Sequence, residues 1–130
     1  MPHILLVEDE ADLSMALAVR LRAAGFTCET AGNGQQALER LAHRRPDVLV
    51  ADLLMPVMDG YTLIRHLRAD SQLAAIPMIV VTAVPEYVRA QRADDLRGVR
   101  VIQKPFDSER LIGAVKELMS STRTREDGHG

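Results

Sequence analysis

The sequence predicts an α/β domain of (βα)5 type: five parallel strands in one doubly wound sheet, with helices on both faces. Three observations carry that expectation. Five short, largely apolar runs recur along the chain, segments of helical period separate them, and 130 residues with 47% hydrophobic content suffice for one core without staples. Continuous apolar runs mark strands buried on both faces, and their alternation with helical segments marks a parallel sheet covered on each side.

The first run is His3–Val7. Leu13, Leu17 and Leu21 follow at i, i+4 spacing, so residues 11–24 read as an amphipathic helix stopped by Gly25. The second strand, Phe26–Thr30, alternates polar and apolar where the other four are nearly all apolar, which suits a sheet edge. A helix over 34–43 leads to the third strand, Asp47–Ala51, and a helix over 60–70 leads to the fourth, Met78–Thr82. A fourth helix over 86–96 precedes the fifth strand, Val99–Gln103. The last helix, 107–121, starts at Asp107 as N-cap and carries Leu111, Val115 and Leu118 on one face. One domain is thus expected over residues 1–121, with 122–130 a polar, disordered tail.

A net charge of −2, with 26% charged residues, is too small and too mixed to argue for nucleic-acid or membrane binding. Any partner is expected to recognise a local patch. Cys28 is the sole cysteine, which rules out an internal disulfide or a zinc cluster and points to a reducing compartment, the cytoplasm. The apolar run near the N-terminus is ended at once by acids and is too short for a signal-peptide core; no span approaches the length of a membrane helix.

In an open doubly wound sheet, ligands bind beyond the carboxyl ends of the strands. Those ends present Glu8 and Asp9 after the first strand, Asp52 after the third, Thr82 at the fourth and Lys104 after the fifth. A carboxylate at the edge of an apolar run such as Val48–Ala51 calls for a pair, hydrogen bonds or a metal. Three carboxylates on one rim repel, and an oxygen-preferring divalent cation, Mg²⁺, is the usual remedy. With a lysine and a hydroxyl beside it, such a site has what phosphoryl transfer needs. Asp52 is the central candidate, since carboxylates act as nucleophiles and form aspartyl phosphates.

Four segments, ILLVEDE, DVLVADLLMPVMDG, IPMIVVTA and QKPF, together resemble the CheY-like receiver domain of bacterial two-component response regulators, over about residues 3–120. The resemblance implies a flavodoxin-like strand order, 2-1-3-4-5. It implies that Asp52 accepts phosphate from a histidine kinase or histidine phosphotransfer protein, that Asp9 ligates Mg²⁺ directly and Glu8 through water, and that the Leu54 backbone carbonyl completes the protein's share of ligands. Thr82 would hydrogen-bond a phosphoryl oxygen and Lys104 would pair with it, helped inward by a cis Lys104–Pro105 bond. Pro56, Asp59 and Gly60 would shape the loop after Asp52. The domain would catalyse only its own modification and then bind a downstream protein target differently. Nothing after residue 120 reads as an output domain, so the chain is expected to act through other proteins or to be a fragment of a larger one.

Each residue alone has a plainer reading: Asp52 as a turn cap, Glu8 and Asp9 as first-turn acids, Thr82 as a β-former, Lys104 as a solvated strand end. Their coincidence on one rim favours chemistry. DLLMPVMDG lacks the alternate acids of a calcium loop, and AGNGQQ is neither GxGxxG nor a P-loop. The basic runs RHLR and AHRRP have no aromatic stackers and read as solvated helix faces. His3, His43, His66 and His129 stand in no ligand spacing. Two rivals stay open, a receiver-like scaffold with an unused pocket and a metal-dependent phosphohydrolase. Against the latter stands Leu54, where a second acid is usual.

Two positions depart from the receiver pattern. Val101 stands where receivers commonly carry a Tyr or Phe that moves with the phosphate-bound Thr, and Arg97-Gly98 stands where many have Gly-Ala. The exit of the fourth helix is therefore expected to shift, and phosphorylation to act mainly by ordering Ala83–Val88 through Thr82. Apolar Leu54 and Val84 offer nothing to position a hydrolytic water, which implies a long-lived aspartyl phosphate.

Overall fold

A computed structural model describes residues 1–120 with their side chains. The order of elements is β1 (His3–Val7), α1 (Ala11–Ala23), β2 (Thr27–Ala31), α2 (Gly34–His43), β3 (Val48–Ala51), α3 (Gly60–Ala69), β4 (Met78–Thr82), α4 (Glu86–Arg89), a 3-10 helix (Ala90–Leu96), β5 (Arg100–Gln103) and α5 (Ser108–His129). α5 runs on through residues 122–129 of the tail expected to be disordered, and residue 130 lies outside the described residues. All strand pairs are parallel, and the sheet runs β2-β1-β3-β4-β5. Among the described residues no helix is long and apolar enough to cross a membrane.

Period-2 alternation sends each strand's side chains to two cores. Ile4, Leu6, Val48, Val50, Ile79, Val81 and Ile102 face α1 and α5, meeting Leu17, Leu21, Leu111 and Val115. Leu5, Val7, Leu49 and Ala51 face α2 and α3, meeting Ala37, Leu41, Leu63 and Leu67. Each fully buried Leu or Ile contributes about 1.5–3 kcal/mol. The two-sided burial explains why β1, β3 and β4 read as unbroken apolar runs.

Boundaries move where a backbone group is claimed by a neighbour. The Phe26 N–H donates to Leu21 O and belongs to the end of α1, so β2 begins at Thr27 and extends to Ala31, one residue later than expected. The Val99 N–H likewise donates to Leu96 O, so β5 starts at Arg100. Asp47, expected in β3, exchanges bonds with His3 just before the strand.

The fourth helix is not one helix. EYVR forms a single α turn and the following AQRADDL a 3-10 helix, with a break at Arg92 (φ −127°, ψ 34°). The physical reason is that this segment gives the core only Leu96, and Asp94-Asp95 disfavours helix. Polar contacts hold it instead. The Arg92 guanidinium lies 3.6 Å from the Tyr61 ring centroid and 2.9 Å from Asp95. Arg68 on α3 donates to the carbonyl of Asp95 at 2.8 Å and to that of Arg97. The chain leaves through Gly98 at φ +78°, a conformation that the Arg97-Gly98 pair supplies and an alanine there would resist.

Candidate functional site

The strand ladders continue one residue past their ends and fix the rim. Glu8 N–H donates to Ala31 O (3.0 Å), Asp52 N–H to Val7 O (3.1 Å) and Lys104 N–H to Thr82 O (2.8 Å). Glu8, Asp52 and Lys104 are thereby held as rigidly as strand residues. Their side chains meet: the Lys104 ammonium lies 2.6 Å from Glu8 Oε1 and 2.8 Å from Asp52 Oδ2. The remaining oxygens accept backbone N–H groups, Asp52 Oδ1 from Leu54 (3.2 Å) and Glu8 Oε2 from Glu10 (3.2 Å). The Lys104–Pro105 bond is cis, as expected.

The loop after Asp52 is shaped by contacts that demand particular residues. A Cβ on Gly60 would sit 2.3 Å from the Asp52 carbonyl oxygen, so only glycine lets α3 start this close to the acid. Asp59 caps that helix, its side chain accepting the Thr62 N–H at 2.8 Å. Between Asp52 and Asp59, Val57 takes φ +68°, a strained conformation for a β-branched residue, in the loop that leaves the acid.

Asp52 and Glu8 are nearly inaccessible, 6% and 2% exposed, whereas Asp9 lies open to solvent. Burial is the largest influence on Glu8 and pushes its carboxyl above the usual range, against the bonds from Lys104 and the Glu10 N–H. For Lys104 burial acts downward, but the bonds to Asp52 and Glu8 outweigh it and raise the ammonium above its ordinary value. One carboxylate oxygen each from Glu8, Asp9 and Asp52 lies within 4.8 Å of the others. Three converging carboxylates, two of which already draw in an ammonium, are a donor set suited to a hard divalent cation.

Thr82 is fully buried at the end of β4, and its hydroxyl accepts the Val84 N–H at 3.1 Å, with no bond to the acids. Val101, opposite Val80 in the ladder, packs with Leu53, Ile64 and Leu96. The residues that sequence reasoning missed are Arg89 and Gln103. Arg89 donates to the Val84 carbonyl and to Gln103 Oε1, and the Gln103 amide donates to the Lys104 carbonyl at 3.4 Å. Thr82 and Lys104 are thus joined by a polar bridge. Only the position of Gln103 beside Lys104 hinted at it.

A sequence model of the response regulator receiver domain matches residues 4–116. The chain is 30% identical over 122 residues to the DNA-binding dual master transcriptional regulator RpaA of Synechocystis, covering 94% of this chain and 51% of that one. It spans about half the length of the curated relatives it matches. Among solved structures, the signal receiver domain of a signal transduction histidine kinase from Syntrophus aciditrophicus is 34% identical, with a TM-score of 0.87 over 93% of this chain and 92% of that one. The response regulator TrrA from Thermotoga maritima, solved in complex with Mg²⁺-BeF, is 26% identical, with a TM-score of 0.79 over 91% and 99%. A matched family model over most of the chain, the 2-1-3-4-5 sheet and the acid rim agree: the chain belongs to the receiver-domain family of two-component response regulators.

Proposed function

We propose that this receiver domain takes a phosphoryl group onto Asp52 from a histidine kinase or histidine phosphotransfer protein, and that the modification changes which downstream protein it binds. A carboxylate oxygen of Asp52 attacks phosphorus in line, the P–N bond of the donor phosphohistidine breaks, and the imidazole nitrogen keeps the electron pair and takes a proton. The observation that carries this is Asp52 itself: a nearly buried carboxylate on a rigid strand end, with an ammonium 2.8 Å away. Glu8, Asp9 and Asp52 would hold Mg²⁺, with the Leu54 carbonyl available from the loop; the cation supplies charge neutralisation for the phosphoryl oxygens. Lys104 pairs with a phosphoryl oxygen, and the Thr82 hydroxyl, which accepts the Val84 N–H, turns its own proton to another and so reorders Ala83–Val88.

The domain turns over nothing but its own modification. Its recognition is of proteins, since its charge is mixed and near neutral, and the free, buried Cys28 suits the cytoplasm. Borohydride reduces an aspartyl phosphate to homoserine, so treatment after incubation with acetyl phosphate and Mg²⁺ tests the assignment. Homoserine is expected at position 52; its appearance at position 8 or 9 would contradict the reading.

A further inference from the structure

β2 is an open edge of the sheet, and its outward carbonyls are occupied. The ladder fixes which ones point outward. Thr27 N–H donates to Pro2 O at 2.9 Å and Ala31 O accepts from Glu8 N–H at 3.0 Å, so Thr27, Glu29 and Ala31 turn inward to β1. Cys28 and Thr30 turn outward. Side chains reach round from both faces to meet them: Arg22, on α1, donates to the Cys28 carbonyl at 2.8 Å, and Arg40, on α2, donates to the Thr30 carbonyl at 3.3 Å. Just past the strand, Gln36 Oε1 accepts the Gly32 N–H at 2.8 Å. Among the described residues no group accepts from the N–H of Cys28 or of Thr30.

We propose that Arg22 and Arg40 form a latch that keeps the edge of β2 from pairing with the same edge of a second copy of this chain. The edge is self-complementary without them. An antiparallel pair about a two-fold axis at Glu29 would set Cys28 opposite Thr30 of the second copy, and Thr30 opposite its Cys28, exchanging four N–H···O=C bonds. With both carbonyls capped the strand offers donors only. Two donor-only edges cannot pair. Charged side chains at exposed edges generally serve this end. Glu29 adds to it, because its carboxylate, 3.7 Å from Arg40, would face its own copy across the axis.

The test is mass by light scattering across a concentration series for wild type, T30P, R22M/R40M and R22M/R40M/T30P. Methionine keeps the apolar stems and removes the donors. Proline at position 30 removes an outward N–H that the fold does not use, at an edge where proline is tolerated. The expected result is a wild type of monomer mass, a double variant rising toward twice that mass, and a triple variant returned to monomer. A double variant that stays monomeric throughout, a mass increase that T30P leaves intact, or a wild-type dimer that T30P dissociates would each overturn the latch. Should R22M/R40M fail to fold, R22M and R40M singly are read the same way, each freeing one carbonyl and expected to pair more weakly; monomer mass for both would overturn it too.

Discussion

Lys104 serves in the unmodified domain as the counter-charge for two nearly buried carboxylates, 2.6 and 2.8 Å from its ammonium. Removing it leaves Glu8 and Asp52 buried and unpaired, so Lys104→Met is expected to lose about 3 kcal/mol in urea melts of the metal-free domain. Added Mg²⁺ should restore more stability to the variant than to wild type, because the cation replaces the missing charge. Glu8 sets a pH dependence. Its folded-state value is raised by burial, so the folded domain holds that proton more tightly than the unfolded chain does. The stability this gives is complete below the ordinary glutamate range and lost as pH rises through the raised value. Mg²⁺ binding must expel the same proton, so affinity measured by titration calorimetry should fall as pH drops through that window, with Glu8→Gln showing a shallower slope. Leu54, 61% exposed beside Asp52, offers no polar side chain to a hydrolytic water. Leu54→Asn is expected to shorten the aspartyl-phosphate lifetime several-fold by mass-spectrometric decay; equal lifetimes would remove that role.

At the scale of elements, the Arg89–Gln103 bridge links the loop after Thr82 to β5. Val101 is packed among Leu53, Ile64 and Leu96 and has no polar atom to offer, while Arg89 ties the Val84 carbonyl to Gln103, the last residue of β5. In Arg89→Met, amides of Ala83–Val88 are expected to exchange about as fast with beryllofluoride as without it, whereas in wild type the mimic slows them. Equal slowing in both would show that the bridge carries nothing. The strands and α1, α2, α3 and α5 were legible from sequence because apolar period and burial coincide there. The segment 86–96 was not. Its spacing suggested a helix, yet with one core residue its shape is set by Arg68, Arg89 and Arg92, whose partners are distant in sequence or are backbone carbonyls without a sequence signature.

For the whole molecule, the doubly wound order fixes function by geometry: β1, β3 and β5 deliver Glu8, Asp52 and Lys104 to one rim although they are up to 96 positions apart. Composition and spacing made that convergence legible, since each residue directly follows an apolar strand. The direct contact of Lys104 with Glu8 was not legible, because it depends on which acid is the more buried. Nor were the capped carbonyls of β2, which depend on strand parity and on where arginine side chains fold back. The central claim is that Asp52 is the phosphoacceptor. Intact-protein mass after incubation with acetyl phosphate and Mg²⁺ tests it most directly: one added phosphoryl group on wild type and none on Asp52→Asn is predicted, and equal modification of the two would contradict it.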